Sequence, residues 1–321
     1  YIPEDFAEIV DLRGDYFNHL RQLVDFDLIR KAGMKIIVDN LYGSSREYLD
    51  RILEENGVPV SSMHGFPYSS FGEVIPYCTA SNLRDLSREV LKQSAHVGLA
   101  TDIDGDRFGI VDHSGMFLPA NRVMPLLIEY LIESRGFGGG VVKSIATTDL
   151  IDKVCQAHQR PLYTTPVGFK HVAQMMAVRK AFVGVESTNG AAVNHGALIK
   201  DGILFSLLFT EMLAYHGRTF HELHKDFQSR FPHLVQKEIS LKASLARLQK
   251  LEKLSENGEL SRLGIKPEKA QYIDGIKLFF PGSWLLVRSS GTHGVLRIYS
   301  EASSGREASR LIALGRKLLE K

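Results

Sequence analysis

The chain has 321 residues, 44% of them hydrophobic and 24% charged, with a formal net charge of +2. That length points to two or three domains rather than one, and the near balance of charge argues against a nucleic-acid or membrane partner. No apolar run reaches the roughly 18 residues of a membrane span and no secretory signal is visible; Cys78 and Cys155 lie too far apart in sequence to form a metal-spacing pair, which fits a cytoplasmic, reducing setting.

In chain order, "MKIIVDN" (34–40) predicts a buried strand, and "SREYLDRILEENG" (45–57) has helical spacing that stops at Gly57. "SNLRDLSREVLKQSA" (81–95) predicts an amphipathic helix with Ser81 or Asn82 as N-cap, and "HVGLAT" a following strand. This alternation suggests a parallel sheet with covering helices. "HSGMFLPA" (113–120) reads as a seam, after which the pattern repeats. Helices are expected over 120–136 and 148–159, strands over 139–147 and 181–187, and a strongly apolar helix over 201–217. After Pro232 the character changes. Residues 235–258 are charged and partly helical, 275–302 read as three short strands with turns, and 306–321 close the chain as a helix. The expected fold is two successive α/β domains (1–115 and 116–230), with mixed sheets covered by helices, then a small C-terminal α+β domain (231–321).

The stretch "HVGLATDIDGDRFGIVD" (96–112) sets Asp102, Asp104 and Asp106 at alternate positions after an apolar run. Carboxylates so close repel, and a bound cation is the simplest compensation. Mg²⁺ takes oxygen ligands, which such a loop can curl around one ion. An EF-hand fails, because its sixth and twelfth positions would be Arg107 and His113. A haloacid-dehalogenase type of phosphatase, with Asp102 as nucleophile, fits "DIDG" but not Asp106, and no later acidic pair supports it. Arg107 either balances the acids or donates to a bound phosphate.

Three further loops carry chemistry. In "TTPVGFKHV" (164–172), Lys170 could present a cation to an anionic ligand, although most such lysines are simply solvated. In "VGVESTNGAA" (183–192), Glu186 and Thr188 could grip vicinal sugar hydroxyls, the alternative being a polar turn. In "VRSSGTHGVLRIYSEA" (287–302), Ser289, Ser290, Gly291 and Thr292 offer hydroxyls and clustered N–H groups, while Arg288 and Arg297 add guanidinium forks suited to phosphate.

Together the four loops resemble those of the α-D-phosphohexomutases, the phosphoglucomutases and phosphomannomutases. The aspartate loop is similar to that family's D-x-D-x-D-R magnesium loop, and "TPVGFK" to its third-domain loop. "GVESTNG" is similar to G-x-E-x-S-G-G, and "RSSGTHGVLR" to R-x-S-G-T-E-P-x-x-R. Thr188 stands where serine is usual, and His293 and Gly294 where Glu-Pro is usual. The resemblance implies Mg²⁺ on Asp102, Asp104 and Asp106, with Glu186 and Thr188 on sugar hydroxyls. It implies Arg288, Ser290, Gly291, Thr292 and Arg297 on the non-reacting phosphate, and Lys170 on the phosphosugar, with Arg107 and Lys170 in support of catalysis.

In the family a phosphoserine in a T-A-S-H-N-P loop of the first domain passes phosphate to the sugar, by way of a hexose 1,6-bisphosphate. Here "CTASNLRDL" has Thr79, Ala80 and Ser81 but lacks the His-Asn-Pro, and it opens a helix. The resemblance therefore covers domains two to four. It implies that the serine domain is a missing partner, that the chain alone is inactive, and that hexose phosphate, glucose or mannose phosphate above all, is the ligand. A phosphosugar-binding protein without chemistry and a metal-dependent sugar phosphatase are the alternatives.

Overall fold

A computed structural model gives the fold and describes residues 10–73, 75–254, 260, 265–290 and 294–320. It divides into two compact units. One is Tyr1–Val123 with Thr188–Ala192 and Ile199–Leu223; the other is Met124–Ser187 with Val193–Leu198 and His224–Lys321.

The first unit opens with two helices that the sequence pattern did not reveal, α1 (Arg13–Leu23) and α2 (Phe26–Lys31). Asp25 caps α2 by accepting from the Leu28 N–H at 2.9 Å. There follow β1 (Ile36–Asp39), α3 (Leu49–Glu55), β2 (Val60–Met63), α4 (Arg84–Gln93), β3 (Val97–Thr101), β4 (Phe108–Asp112) and β5 (Phe117–Leu118). The sheet order is β2-β1-β3-β4-β5. β1 is parallel to β2 and β3, whereas β3–β4 and β4–β5 are antiparallel, so the sheet is mixed rather than parallel throughout. β1 is a central strand, parallel to both neighbours, with α4 packed against it; its side chains are buried along its whole length, so it reads as one apolar run. The expected N-cap of α4 is corrected. Leu83 holds that position without a side-chain bond, and the Asn82 amide instead donates to the Ile75 and Tyr77 carbonyls at 2.6 and 2.9 Å.

α5 (Ala120–Glu133) carries the chain onward to β6 (Val141–Ser144), α6 (Leu150–Ala157), β7 (Leu162–Thr165), α7 (Phe169–Arg179), β8 (Val183–Val185) and β9 (Ala191–Val193). Their sheet runs β7-β6-β8-β9, with β6 parallel to both β7 and β8. The apolar helix expected over 201–217 is α8 (Gly202–His216), capped by Asp201 through the Leu204 N–H. Every residue of α8 from Gly202 to Ala214 is buried, as a helix apolar all round must be. It packs on β3, β4 and α2. α9 (Phe220–Arg230) follows.

The C-terminal sheet has five antiparallel strands where three were expected. These are β10 (Val235–Lys242), β11 (Lys269–Gln271), β12 (Ile276–Phe280), β13 (Ser283–Ser289) and β14 (Val295–Ala302), in the order β10-β14-β13-β12-β11. α10 (Leu245–Leu254) and α11 (Gly305–Glu320) cover one face, where Leu254, Leu278, Val287, Ile298 and Leu311 share a core. On another face Trp284, Leu286 and Tyr299 pack with Ile145 and Ala146, which follow β6. The Lys277 ammonium is buried in this contact. It lies 3.8 Å from the Trp284 ring centroid, donates to the Ile145 carbonyl at 3.1 Å and sits 3.4 Å from Asp149. Burial depresses Lys277 to about 8.

Candidate active site

The aspartates occupy the turn between antiparallel β3 and β4, so both ends of the loop are pinned by the sheet. Asp102 is 2% exposed. Its carbonyl accepts from the Gly105 N–H at 3.0 Å, and its Oδ1 accepts from the Arg107 N–H at 3.1 Å, which closes the turn. Burial lifts the Asp102 carboxyl to about 6, and repulsion from Asp106 and Asp104 adds to the rise, although the Arg107 N–H opposes it. Asp104 is exposed and Asp106 half-buried. The Arg107 guanidinium lies 3.7 Å from Asp102 and 3.9 Å from Asp106, and over the Tyr77 ring. Lys200 pairs with the other oxygen of Asp106 at 2.6 Å.

Two distant segments brace this loop. The Ser44 N–H donates to the Ile103 carbonyl at 2.8 Å, and the Gly202 N–H, at the start of α8, donates to the Gly105 carbonyl at 3.0 Å. A Cβ at Gly202 would lie 2.5 Å from the Arg107 carbonyl oxygen, so only glycine allows this approach. A third segment, Thr188–Gly190, runs beside the loop. The Phe108 N–H donates to the Asn189 carbonyl at 3.1 Å, and Arg107 forms a β-bridge with Gly190. The Asn189 side chain in turn accepts from the Ala120 N–H at 2.8 Å. The structure thus brings the end of the sugar-type loop against the aspartate loop, with Thr188 itself exposed.

The donor set suits Mg²⁺: three carboxylates carry excess negative charge, and one is destabilised by burial. The three do not converge tightly. Among the described residues, the group whose ligand atoms all lie within 4.8 Å of one another is Glu129, Glu133 and His158. There Arg230 already spans both oxygens of Glu129, at 2.6 and 2.7 Å.

In the second unit, the turn after β7 meets the residue after β8: the Gly168 N–H donates to Glu186 Oε1 at 3.1 Å, and Glu186 is buried. Lys170 is exposed on the first turn of α7. Arg288 and Arg297 sit directly opposite each other on β13 and β14. Like charges so placed repel, and each is offset by an acid. Arg288 pairs with Asp274 at 2.8 Å, and Arg297 pairs with Glu238. The Ser290 N–H donates to the Val295 carbonyl at 2.8 Å and closes the strands toward their turn. Gly291 and Thr292 lie outside the described residues.

Comparison with known proteins matches three consecutive segments to one family. Residues 14–115 match "Phosphoglucomutase/phosphomannomutase, alpha/beta/alpha domain II", 119–231 match its domain III, and 237–314 match its C-terminal domain. The chain belongs to the phosphoglucomutase/phosphomannomutase family. A phosphoglucomutase/phosphomannomutase of Thermococcus kodakarensis is 29% identical, across all of this chain and 70% of its own length. A phosphoglucomutase of Komagataeibacter xylinus is 29% identical, over 89% of this chain and 56% of its own. Among solved structures, a family protein from Burkholderia thailandensis superposes with a TM-score of 0.81 at 19% identity, over 98% of this chain and 65% of that one. The N-acetylphosphoglucosamine mutase of Aspergillus fumigatus, solved with GlcNAc-6P and magnesium, gives 0.61 at 17%, over 99% and 71%. These last two show the fold.

Within this phosphoglucomutase/phosphomannomutase framework, two residues could not be picked out from sequence. Lys200 carries no local signal. Asp274 does, because an Asp-Gly pair marks a turn, but nothing in the sequence says what that turn meets.

Proposed function

We propose that this chain supplies the metal-, sugar- and phosphate-binding parts of a phosphohexomutase acting between C1 and C6 of a hexose phosphate, glucose or mannose phosphate being favoured. The observation that carries this reading is the hydrogen-bonded contact between Thr188–Gly190 and Arg107–Phe108. It sets the 188–190 end of the sugar-type loop against the three-carboxylate loop. Domains are assigned as 1–115, 116–230 and 231–321.

Asp102, Asp104 and Asp106 would hold Mg²⁺, which supplies charge neutralisation to a transferring phosphoryl group. Arg107 adds a donor beside them. Glu186 and Thr188 bind sugar hydroxyls, Lys170 faces the phosphosugar, and Arg288, Ser290, Gly291, Thr292 and Arg297 hold the phosphate that does not react. The position of Arg288 and Arg297 opposite each other on one sheet face supports that role, since guanidinium forks suit phosphate. The nucleophile is a phosphoserine supplied from outside these loops. Ser81 is poorly placed to be that nucleophile, because its hydroxyl is exposed and engages Thr79 at 2.9 Å rather than a base.

Calorimetric titration of glucose 1-phosphate and mannose 1-phosphate in Mg²⁺ tests the binding, and a dehydrogenase-coupled assay with a trace of glucose 1,6-bisphosphate tests the chemistry. Binding without turnover is expected. Glu186→Gln is expected to weaken it about tenfold, as loss of a charged hydrogen bond to a hydroxyl does. Turnover by the chain alone would bring Ser81 back as nucleophile, and release of free phosphate would favour the phosphatase.

A further inference from the structure

Asp274 stands in the turn between β11 and β12, away from all four loops in sequence. One of its carboxylate oxygens, Oδ2, accepts twice: from the Val167 N–H at 3.0 Å and from Arg288 Nε at 2.8 Å. Both lone pairs of that oxygen are thereby used. The Asp274 and Arg288 side chains are only 18% and 10% exposed, so little water competes for the pair. The next residue fixes the carboxylate in place. Gly275 has φ +73°, and a Cβ there would lie 2.2 Å from the Val287 carbonyl oxygen, so the turn is seated hard against the strand that bears Arg288. On the far side, Val167 precedes Gly168, whose N–H is held by Glu186. A continuous chain of contacts thus runs Glu186, Gly168, Val167, Asp274, Arg288.

We infer that Asp274 is a positioning residue that locks the phosphate-loop arginine to the 166–168 turn, and through that turn to Glu186. The distance between the sugar-binding acid and the phosphate-binding guanidinium is then set before ligand arrives. Such preorganisation matters only to a ligand that spans both groups. In this respect the inference rests on the phosphosugar reading above, but the lock itself does not.

Two measurements separate these. In ligand-free protein, hydrogen exchange at the Val167 and Gly168 amides is compared between the unsubstituted chain, Asp274→Asn and Arg288→Gln. The two variants probe the lock from its two members: Arg288 pairs with Asp274 and also bonds Tyr299, whose cluster Val167 packs against, whereas Asp274→Asn leaves Tyr299 in place. Exchange there is expected to rise at least threefold in both variants, while amides in the β12–β13 ladder stay protected and show that the protein remains folded. Unchanged exchange in Arg288→Gln would overturn the lock, whatever the ligand. In titrations, Asp274→Asn is expected to weaken glucose 6-phosphate about tenfold and inorganic phosphate less than twofold. Equal losses on both probes would reduce Asp274 to a partner of Arg288 and overturn the coupling. If glucose 6-phosphate fails to bind the unsubstituted chain while exchange behaves as expected, the phosphosugar reading falls and the lock stands.

Discussion

A carboxyl held at about 6 by the fold takes up a proton more readily than the same group unfolded, whose ordinary value is 3.8. Ionised Asp102 therefore weakens the folded state, in full above about pH 6, and the penalty is gone below about pH 4. Replacing it by Asn removes the charge and keeps an acceptor for the Arg107 N–H. With chelator present near neutral pH, Asp102→Asn is expected to melt a few degrees above the unsubstituted chain (~2–4 °C). The gap should close in acid and reverse in excess Mg²⁺. Scanning calorimetry reads all three conditions; an Asn variant that melts lower with chelator at neutral pH would show that the carboxylate stabilises the fold without any ion.

At the scale of elements, the start of α8 offers a test in which two effects oppose. Gly202 is the first residue of that helix, where alanine is favoured by up to ~1 kcal/mol on helix propensity alone. The added Cβ would meet the Arg107 carbonyl oxygen at 2.5 Å, and one of the two backbones must move. Overpacking of this kind costs ~1–3 kcal/mol, so the net expectation for Gly202→Ala is a loss, seen in urea unfolding. Weaker Mg²⁺ binding in titration should accompany it. A more stable variant with unaltered Mg²⁺ affinity would mean that α8 does not brace the loop. The sequence announced α8 through its continuous apolar run, and the aspartate turn through the strand-like stretches on both sides. It did not announce β10, whose residues are only half-buried or exposed, so lysines and glutamate blur the alternation of an edge strand. Nor could the Asp274 turn be read, because its meaning depends on Val167, remote in sequence.

On the scale of the molecule, the two sheets of the second unit meet through a buried charge as well as apolar contact. Lys277, held near 8, releases its proton more readily folded than unfolded, where its ordinary value is 10.5. Its charge therefore weakens the fold below about pH 8, and this fades as pH climbs toward 10.5. Relative to Lys277→Met, the unsubstituted chain is expected to gain stability between pH 7 and 10 in denaturant titrations. A constant difference would mean that Lys277 does not titrate in this range. The family and the mixed α/β architecture were legible in the sequence, since ordered local runs of residues carry both. The compact units were not, because they are defined by contacts that cross the chain. Residues 188–192 and 199–223 fold with the first unit, although β6, β7 and β8 intervene in the chain. A chimera that takes residues 14–115 from one relative and the remainder from another would therefore inherit its aspartates from one parent and the Lys200 and Gly202 that attend them from the other. Recombination at that natural-looking seam should give folded hybrids with poor metal affinity, and the two stretches should change in step as such sequences diverge.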